Sequence, residues 1–161
     1  MIRIGVISDT HNCYEAAYEV LKRAPELNLL CHAGDMYHDG VKLGQLLGVE
    51  AKAVKGNCDY YTEGPEELVF EIGKKKILLT HGDQYRIKEG IDRIIYRAQE
   101  LEAHIVIFGH THQAVLFNEQ GINFINPGSM INPRGSSNPS YAIIEIIDEE
   151  VTIEILEFAL D

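Results

Sequence analysis

The stretch Ile105-Val106-Ile107-Phe108-Gly109-His110-Thr111-His112 decides how this chain is read. Four consecutive apolar residues are the pattern of a strand buried on both faces. The run stops at a glycine and delivers two histidines one residue apart. Imidazoles at the end of a buried strand must be satisfied, and a metal ion is the most direct partner for both. The reading then turns on whether the rest of the chain supplies further donors.

The chain has 161 residues, the length of one domain spanning 1–161. A chain of that size buries about two-thirds of the surface it exposes when unfolded. The formal net charge of −11 repels nucleic acid and anionic membrane surfaces. Cys13, Cys31 and Cys58 are odd in number and form no CxxC pair, so reduced thiols in the cytoplasm are expected. Met1-Ile2-Arg3 runs directly into a strand and leaves no room for a signal peptide. The apolar runs are too short to span a membrane.

Residues 2–7 read as a buried strand that ends in Ser8-Asp9-Thr10-His11. Asn12 is expected to cap the helix that follows, whose apolar positions are Ala16, Ala17, Val20, Leu21 and Ala24. Pro25 ends that helix. Residues 27–33 form the next strand, which ends in Gly34-Asp35, and Tyr37, His38 and Asp39 read as a polar loop. Val41, Leu43, Leu46 and Leu47 mark a short amphipathic helix, and residues 50–55 a third strand ending in Gly56-Asn57-Cys58-Asp59. Strand and helix alternate here, which implies parallel strands.

The pattern then changes to hairpins: 68–72 with 77–80, 114–117 with 122–125, and 142–147 with 151–158. One amphipathic helix interrupts them, carried by Ile87, Ile91, Ile94, Ile95, Ala98 and Leu101. The strand at 77–80 ends in His81-Gly82-Asp83. A single open sheet of about ten strands is near the upper limit, so two packed sheets flanked by helices fit better.

Each of these strand ends offers a donor. Collected, they are Asp9, His11, Asp35, Asn57, His81, His110 and His112. Imidazole nitrogens mixed with carboxylate and amide oxygens suit manganese, iron, zinc, nickel, cobalt or magnesium. Seven donors are too many for one tetrahedral ion. They suit two ions sharing a carboxylate, about 3.5–4 Å apart, an arrangement that clamps both oxygens of a displacement at phosphorus. His32 is expected to pack beside Asp35, and His104 to begin a strand.

The ordered set Asp9-x-His11, Gly34-Asp35, Gly56-Asn57-x-Asp59, His81-Gly82 and Gly109-His110-x-His112 resembles the five blocks of the calcineurin-like metallophosphoesterase superfamily. Asn126-Pro127-Gly128-Ser129, Pro133-Arg134-Gly135 and Pro139-Ser140-Tyr141-Ala142 extend the likeness to the YfcE-type phosphodiesterases. The resemblance implies an α/β fold: a four-layer αββα sandwich of two mixed sheets flanked by helices. It implies Asp9, His11 and His112 on one ion, Asn57, His81 and His110 on a second, and Asp35 between them. Mn2+ is the expected metal, and a metal-bridging hydroxide is the family's nucleophile.

Asp35, Asn57, Cys58 and Asp59 are the expected catalytic residues on that likeness. Many members of the wider superfamily carry histidine where this chain has Cys58, to protonate the leaving alkoxide. A thiol with an ordinary pKa of about 8.5 is a weaker general acid at neutral pH, so good leaving groups are favoured. Asp59 either orients Cys58 or a water, or is a turn carboxylate. Arg134 and His38 are candidate substrate contacts, with exposed surface positions as the alternative.

The function expected is hydrolysis of a small phosphodiester. A phosphomonoesterase is the near variant, and a non-catalytic scaffold like the retromer subunit of this fold is the alternative from another class. The acidic charge and the lack of an aromatic-basic stripe speak against a long nucleic-acid groove. The sequence allows a homo-oligomer.

Overall fold

The computed structural model describes residues 1–135 and 137–159. It contains ten strands: β1 (Ile2–Ile7), β2 (Leu29–His32), β3 (Glu50–Ala53), β4 (Glu67–Ile72), β5 (Lys75–Thr80), β6 (Ile105–Ile107), β7 (Val115–Glu119), β8 (Ile122–Asn126), β9 (Ser140–Ile147) and β10 (Glu150–Glu157). Three α-helices accompany them: α1 (Tyr14–Leu21), α2 (Tyr37–Leu47) and α3 (Asp92–Leu101).

The strands form two five-stranded sheets, ordered β10-β9-β1-β2-β3 and β4-β5-β6-β8-β7. In the first, β1, β2 and β3 run parallel, with Val6 opposite Cys31 and Cys31 opposite Lys52. The second holds β5, β6 and β8 parallel, with Leu79 opposite Ile107 and Ile107 opposite Ile125. The hairpin β9-β10 adds antiparallel strands at one edge of the first sheet, and β4 and β7 are the antiparallel edge strands of the second.

Alternation along the strands fixes the layers. Ile4, Val6 and Cys31 of the first sheet meet Ile77, Leu79, Ile105 and Ile107 of the second in one buried cluster. The opposite face of the first sheet, with Ile7, Leu30 and Ile143, packs on Ala17 and Leu21 of α1 and Leu43 of α2. Leu78, Val106 and Phe124 on the outer face of the second sheet pack on Ile94 and Ala98 of α3. The order is therefore helices, sheet, sheet, helix. This explains the apolar run in β6: Ile105 and Ile107 face the other sheet while Val106 faces α3. Truncating Ile107 to alanine in such a position costs about 2–5 kcal/mol.

Three local expectations are corrected. Tyr37, His38 and Asp39 are not a loop but the first turn of α2. The signal is non-local, because Asp59 Oδ1 accepts the Tyr37 N–H at 2.9 Å and satisfies a first-turn donor from another segment. Asn12 does not cap α1: the capping position is Cys13, with no side-chain bond to the helix. Asn12 has φ 70°, and its N–H donates to Asp39 Oδ2 at 2.9 Å. Ile87 and Ile91 lie ahead of α3, Ile87 in a separate 3-10 turn that ends at Gly90, where φ is 148°.

Candidate metal centre

The seven donors sit just beyond strand C-termini: Asp9 and His11 after β1, Asp35 after β2, Asn57 after β3, His81 after β5, His110 and His112 after β6. The two sheets thus deliver them from opposite sides, and the side chains converge. His112 Nε2 lies 3.2 Å from Asp9 Oδ1 and 3.3 Å from His11 Nε2. His81 Nε2 lies 3.3 Å from Asp35 Oδ2, 3.0 Å from Asn57 Oδ1 and 3.2 Å from His110 Nδ1. Asp9 Oδ1 is 3.9 Å from His81 Nε2, so the two groups adjoin. Asp9, His11 and His112 are close enough to hold one metal ion, as are Asp9, Asp35 and His81.

Carbonyl oxygens fix which ring nitrogens face inward. His81 Nδ1 lies 2.6 Å from Ala33 O, and His112 Nδ1 lies 2.7 Å from Asn132 O. A carbonyl only accepts, so each Nδ1 carries a proton and each Nε2 is turned to the cluster. There the neutral rings present lone pairs to carboxylate and amide oxygens. Asp9 Oδ1 is fully buried and, among the described residues, has no hydrogen-bond donor. Buried acceptors facing acceptors require a positive charge between them, so the donor set fits a divalent cation.

Without a bound cation, protons on the imidazoles supply that positive charge, and the titration of the cluster reflects it. Burial raises the Asp9 carboxyl, but the His112 hydrogen bond, the His81 charge and the Ser8 hydroxyl outweigh it and hold it below its ordinary value. Burial likewise acts against Asp35, yet His81 and the Cys58 N–H hold it well below the carboxylate range. Burial lowers His81, but Asp35 and Asp9 raise it further. His110 is lowered by burial and then by His81. The Cys58 thiol is pushed up to about 11 by burial and by the Asp35 charge.

The backbone is bent hard to bring these groups together. Asp9, His11, Asp35, His110 and His112 have φ of 54°, 44°, 50°, 71° and 58°. Non-glycine residues in this region are strained and are held there by their surroundings. Asp59 is one such hold. Its carboxylate accepts the N–H groups of Gly56 at 2.7 Å, Tyr37 at 2.9 Å and Asp35 at 3.2 Å. It is thus a clamp between two donor loops rather than a partner of Cys58. Close approach also needs glycine at two points. A Cβ at Gly56 would lie 2.0 Å from Asp35 Oδ1, and one at Gly109 would lie 2.1 Å from Ser8 Oγ.

Two further holds were not singled out in the sequence. Ser129 Oγ donates to Asp9 O at 2.8 Å, and Asn126 Nδ2 donates to Gly109 O at 3.1 Å. Both stand in the Asn-Pro-Gly-Ser segment, whose match to a pattern gave no hint of the contacts. His32 bonds to the residue before Asp35: its Nδ1 accepts the Gly34 N–H at 3.0 Å, and its Nε2 meets Thr10 Oγ1 at 2.8 Å. His104 Nδ1 accepts the Lys76 N–H at 3.0 Å. Arg134 is exposed, with its N–H donating to His112 O at 3.0 Å. His38 is not in the cluster: it is exposed, stands edge-on to the Tyr37 ring, and lines a groove of about 460 Å3 with Asn12, Tyr14 and Lys42.

A model of the calcineurin-like phosphoesterase superfamily domain matches residues 2–149. The chain belongs to this superfamily. Among calcineurin-like phosphoesterase relatives, the probable metallophosphoesterase YsnB of Bacillus subtilis (strain 168) is 36% identical over 160 residues, covering 98% of this chain and 92% of that one. A crystal structure of a conserved protein from Streptococcus pneumoniae TIGR4, described as a predicted phosphoesterase, superposes with a TM-score of 0.84 at 36% identity, covering 97% of this chain and 89% of that one. Vps29 from Entamoeba histolytica, complexed with Zn2+, shares the fold with a TM-score of 0.75 at 23% identity, over 98% of this chain and 100% of that one. The calcineurin-like fold, two mixed sheets flanked by helices, is the one expected from the sequence. Among the described residues no helix is long and apolar enough to cross a membrane, and Cys13, Cys31 and Cys58 are free.

Proposed function

We propose that this single-domain chain is a binuclear, metal-dependent phosphodiesterase acting on a small phosphodiester. The observation that carries the reading is the convergence of His112 and His81 on Asp9 and Asp35 from two different sheets, with Asp9 Oδ1 left without a donor. Asp9, His11 and His112 would hold one ion, and Asn57, His81 and His110 the second, with Asp35 shared. The mixed nitrogen and oxygen donors suit Mn2+. Divalent ions bound there supply Lewis acidity, which polarises a phosphoryl oxygen and acidifies water.

The chain's own groups do the positioning. The Ala33 and Asn132 carbonyls hold His81 and His112 in the tautomer that turns Nε2 inward. Asp59 keeps the Asp35 and Asn57 loops in register through three backbone amides. Cys58 adjoins Asn57, whose Nδ2 lies 3.8 Å from its Sγ, and is the candidate to protonate the leaving oxygen. A thiol there, in place of an imidazole, favours esters whose leaving group departs unprotonated, such as aryl diesters. Arg134, anchored to His112 through its backbone, is the candidate contact for a phosphate oxygen. The net charge of −11 favours a small substrate over long nucleic acid, and the free thiols suit a reducing cytoplasm.

The test is to strip the protein with a chelator, restore Mn2+, and compare bis(p-nitrophenyl) phosphate with p-nitrophenyl phosphate. Metal-restored turnover that favours the diester is expected. Preference for the monoester would make the chain a phosphomonoesterase. No restored turnover with either would reject the enzyme and favour the scaffold.

A further inference from the structure

Beneath the donor cluster runs a second buried array that contains none of the seven donors. Thr10 and His32 are fully buried and Asp39 nearly so. Gly34 N–H donates to His32 Nδ1 at 3.0 Å. A backbone N–H only donates, so Nδ1 is the acceptor and Nε2 carries the proton. Nε2 therefore donates to Thr10 Oγ1 at 2.8 Å, and the Thr10 hydroxyl must spend its own proton on Asp39 Oδ2, 2.5 Å away. The same Oδ2 accepts the Asn12 N–H at 2.9 Å. Every proton in the array has one direction, set from the backbone end. Room for the ring depends on Gly40, where a Cβ would lie 2.6 Å from His32 Cβ.

The array joins the two loops that carry Asp9, His11 and Asp35. Thr10 stands between Asp9 and His11, with its side chain directed into the array. Asn12 follows His11, and both His11 and Asn12 are held in left-handed backbone, with φ of 44° and 70°. Gly34 precedes Asp35, and Asp39 lies in the first turn of α2, which follows it. Two backbone bonds run alongside: Asp9 N–H to Gly34 O at 2.9 Å and His11 N–H to Asp35 O at 3.2 Å.

We infer that Thr10, His32 and Asp39 are positioning residues for the cation held by Asp9, His11 and His112, acting by fixing the strained Asp9-Thr10-His11-Asn12 loop. This rests on the binuclear reading above. The array holds the loop whose donors, Asp9 and His11, belong to one proposed ion; it reaches the other only through the loop of the shared Asp35 and bonds to no part of Asn57, His81 or His110. Its loss is therefore felt more at the ion of Asp9, His11 and His112 than at the other.

The experiment is calorimetric titration of the metal-free protein with Mn2+, which resolves two binding steps if two ions bind. Thr10→Val removes the hydroxyl at nearly constant shape and is expected to weaken one step by at least about tenfold, the size seen when supporting groups of metal sites are lost, and to weaken the other clearly less. Thr10→Ser restores the hydroxyl and should restore the affinity. Asp39→Asn should also be near wild type, because both donors converge on one oxygen that an amide can supply. Asp39→Leu reaches the same array from its other end and should reproduce Thr10→Val, which covers the case in which Thr10→Val does not fold. Unchanged binding in Thr10→Val or Asp39→Leu, an equal loss at both steps, or failure of Thr10→Ser to recover would overturn the inference. A wild-type protein that binds no Mn2+ would instead overturn the metal reading itself.

Discussion

His112 and Asp9 meet through a nitrogen and an oxygen 3.2 Å apart, while the other nitrogen of the His112 ring is committed to the Asn132 carbonyl. The facing nitrogen is then a lone pair set against a buried carboxylate oxygen. That contact needs a positive charge between the two atoms, supplied by a metal ion or, without one, by a proton. Mn2+ should therefore stabilise the fold strongly. At a concentration about a hundredfold above Kd, one ion adds about 2.7 kcal/mol. For a chain of this size that is about 5–10 °C in Tm, read by calorimetry with and without chelator.

Asp35 is the only proposed donor shared by both ions. Its carboxylate lies 3.3 Å from His81 Nε2 through Oδ2, and its Oδ1 accepts the Cys58 N–H at 2.9 Å. Asp35→Asn keeps the shape and removes the charge. Lewis-acid stabilisation of several kcal/mol depends on that charge. A loss in kcat of at least about a hundredfold is expected on bis(p-nitrophenyl) phosphate in saturating Mn2+. Full activity in the variant would refute the shared role.

Cys58 offers a test of leaving-group chemistry. Proton delivery to a leaving oxygen contributes about 10²–10⁴-fold where the acid is well matched. Cys58→His should raise the rate on an alkyl diester by at least about tenfold and change the aryl diester little. The measurement is the ratio of kcat/KM for the two esters. An unchanged ratio would remove Cys58 from the reaction.

His32 makes acid stability readable. Burial pushes its pKa down from 6.5 to about 4; Asp39, Asp9 and Asp59 oppose that shift, and His81 adds to it. The folded value lies below the unfolded one, so the unfolded chain takes up the proton first as pH falls. The contribution is complete above about pH 6.5 and is lost as pH falls towards about 4. Between about pH 6.5 and 4.5 the loss is about 2 kcal/mol. Urea unfolding in chelator should show that loss in the wild type and a shallower dependence in His32→Gln. Parallel curves would mean that His32 does not titrate this way.

The fold was legible because its signals are local. The apolar run of β6 and the hairpins around Gly73-Lys74, Gln120-Gly121 and Asp148-Glu149 are written in adjacent residues. The donors were legible because each stands at a strand end. What held the donor loops in place was not. Asp39 looked like a loop residue, because the cap that lets a helix begin at Tyr37 comes from Asp59. Asn12 looked like a helix cap because nothing nearby reveals that its N–H is taken by Asp39, which lies 27 residues away. Asp59 looked like a candidate to orient Cys58, and only the fold brings Asp35, Tyr37 and Gly56 to it. Sequence spacing marks side chains that point at a site. Bonds between loops depend on which strand ends become neighbours.

The most direct measurement is anomalous diffraction from crystals of the chelator-treated protein soaked in Mn2+. Two peaks are expected, each about 2.0–2.3 Å from its donors. One should touch Asp9, His11 and His112, the other Asn57, His81 and His110, and Asp35 should reach both. A single peak, or peaks away from these side chains, would contradict the binuclear account.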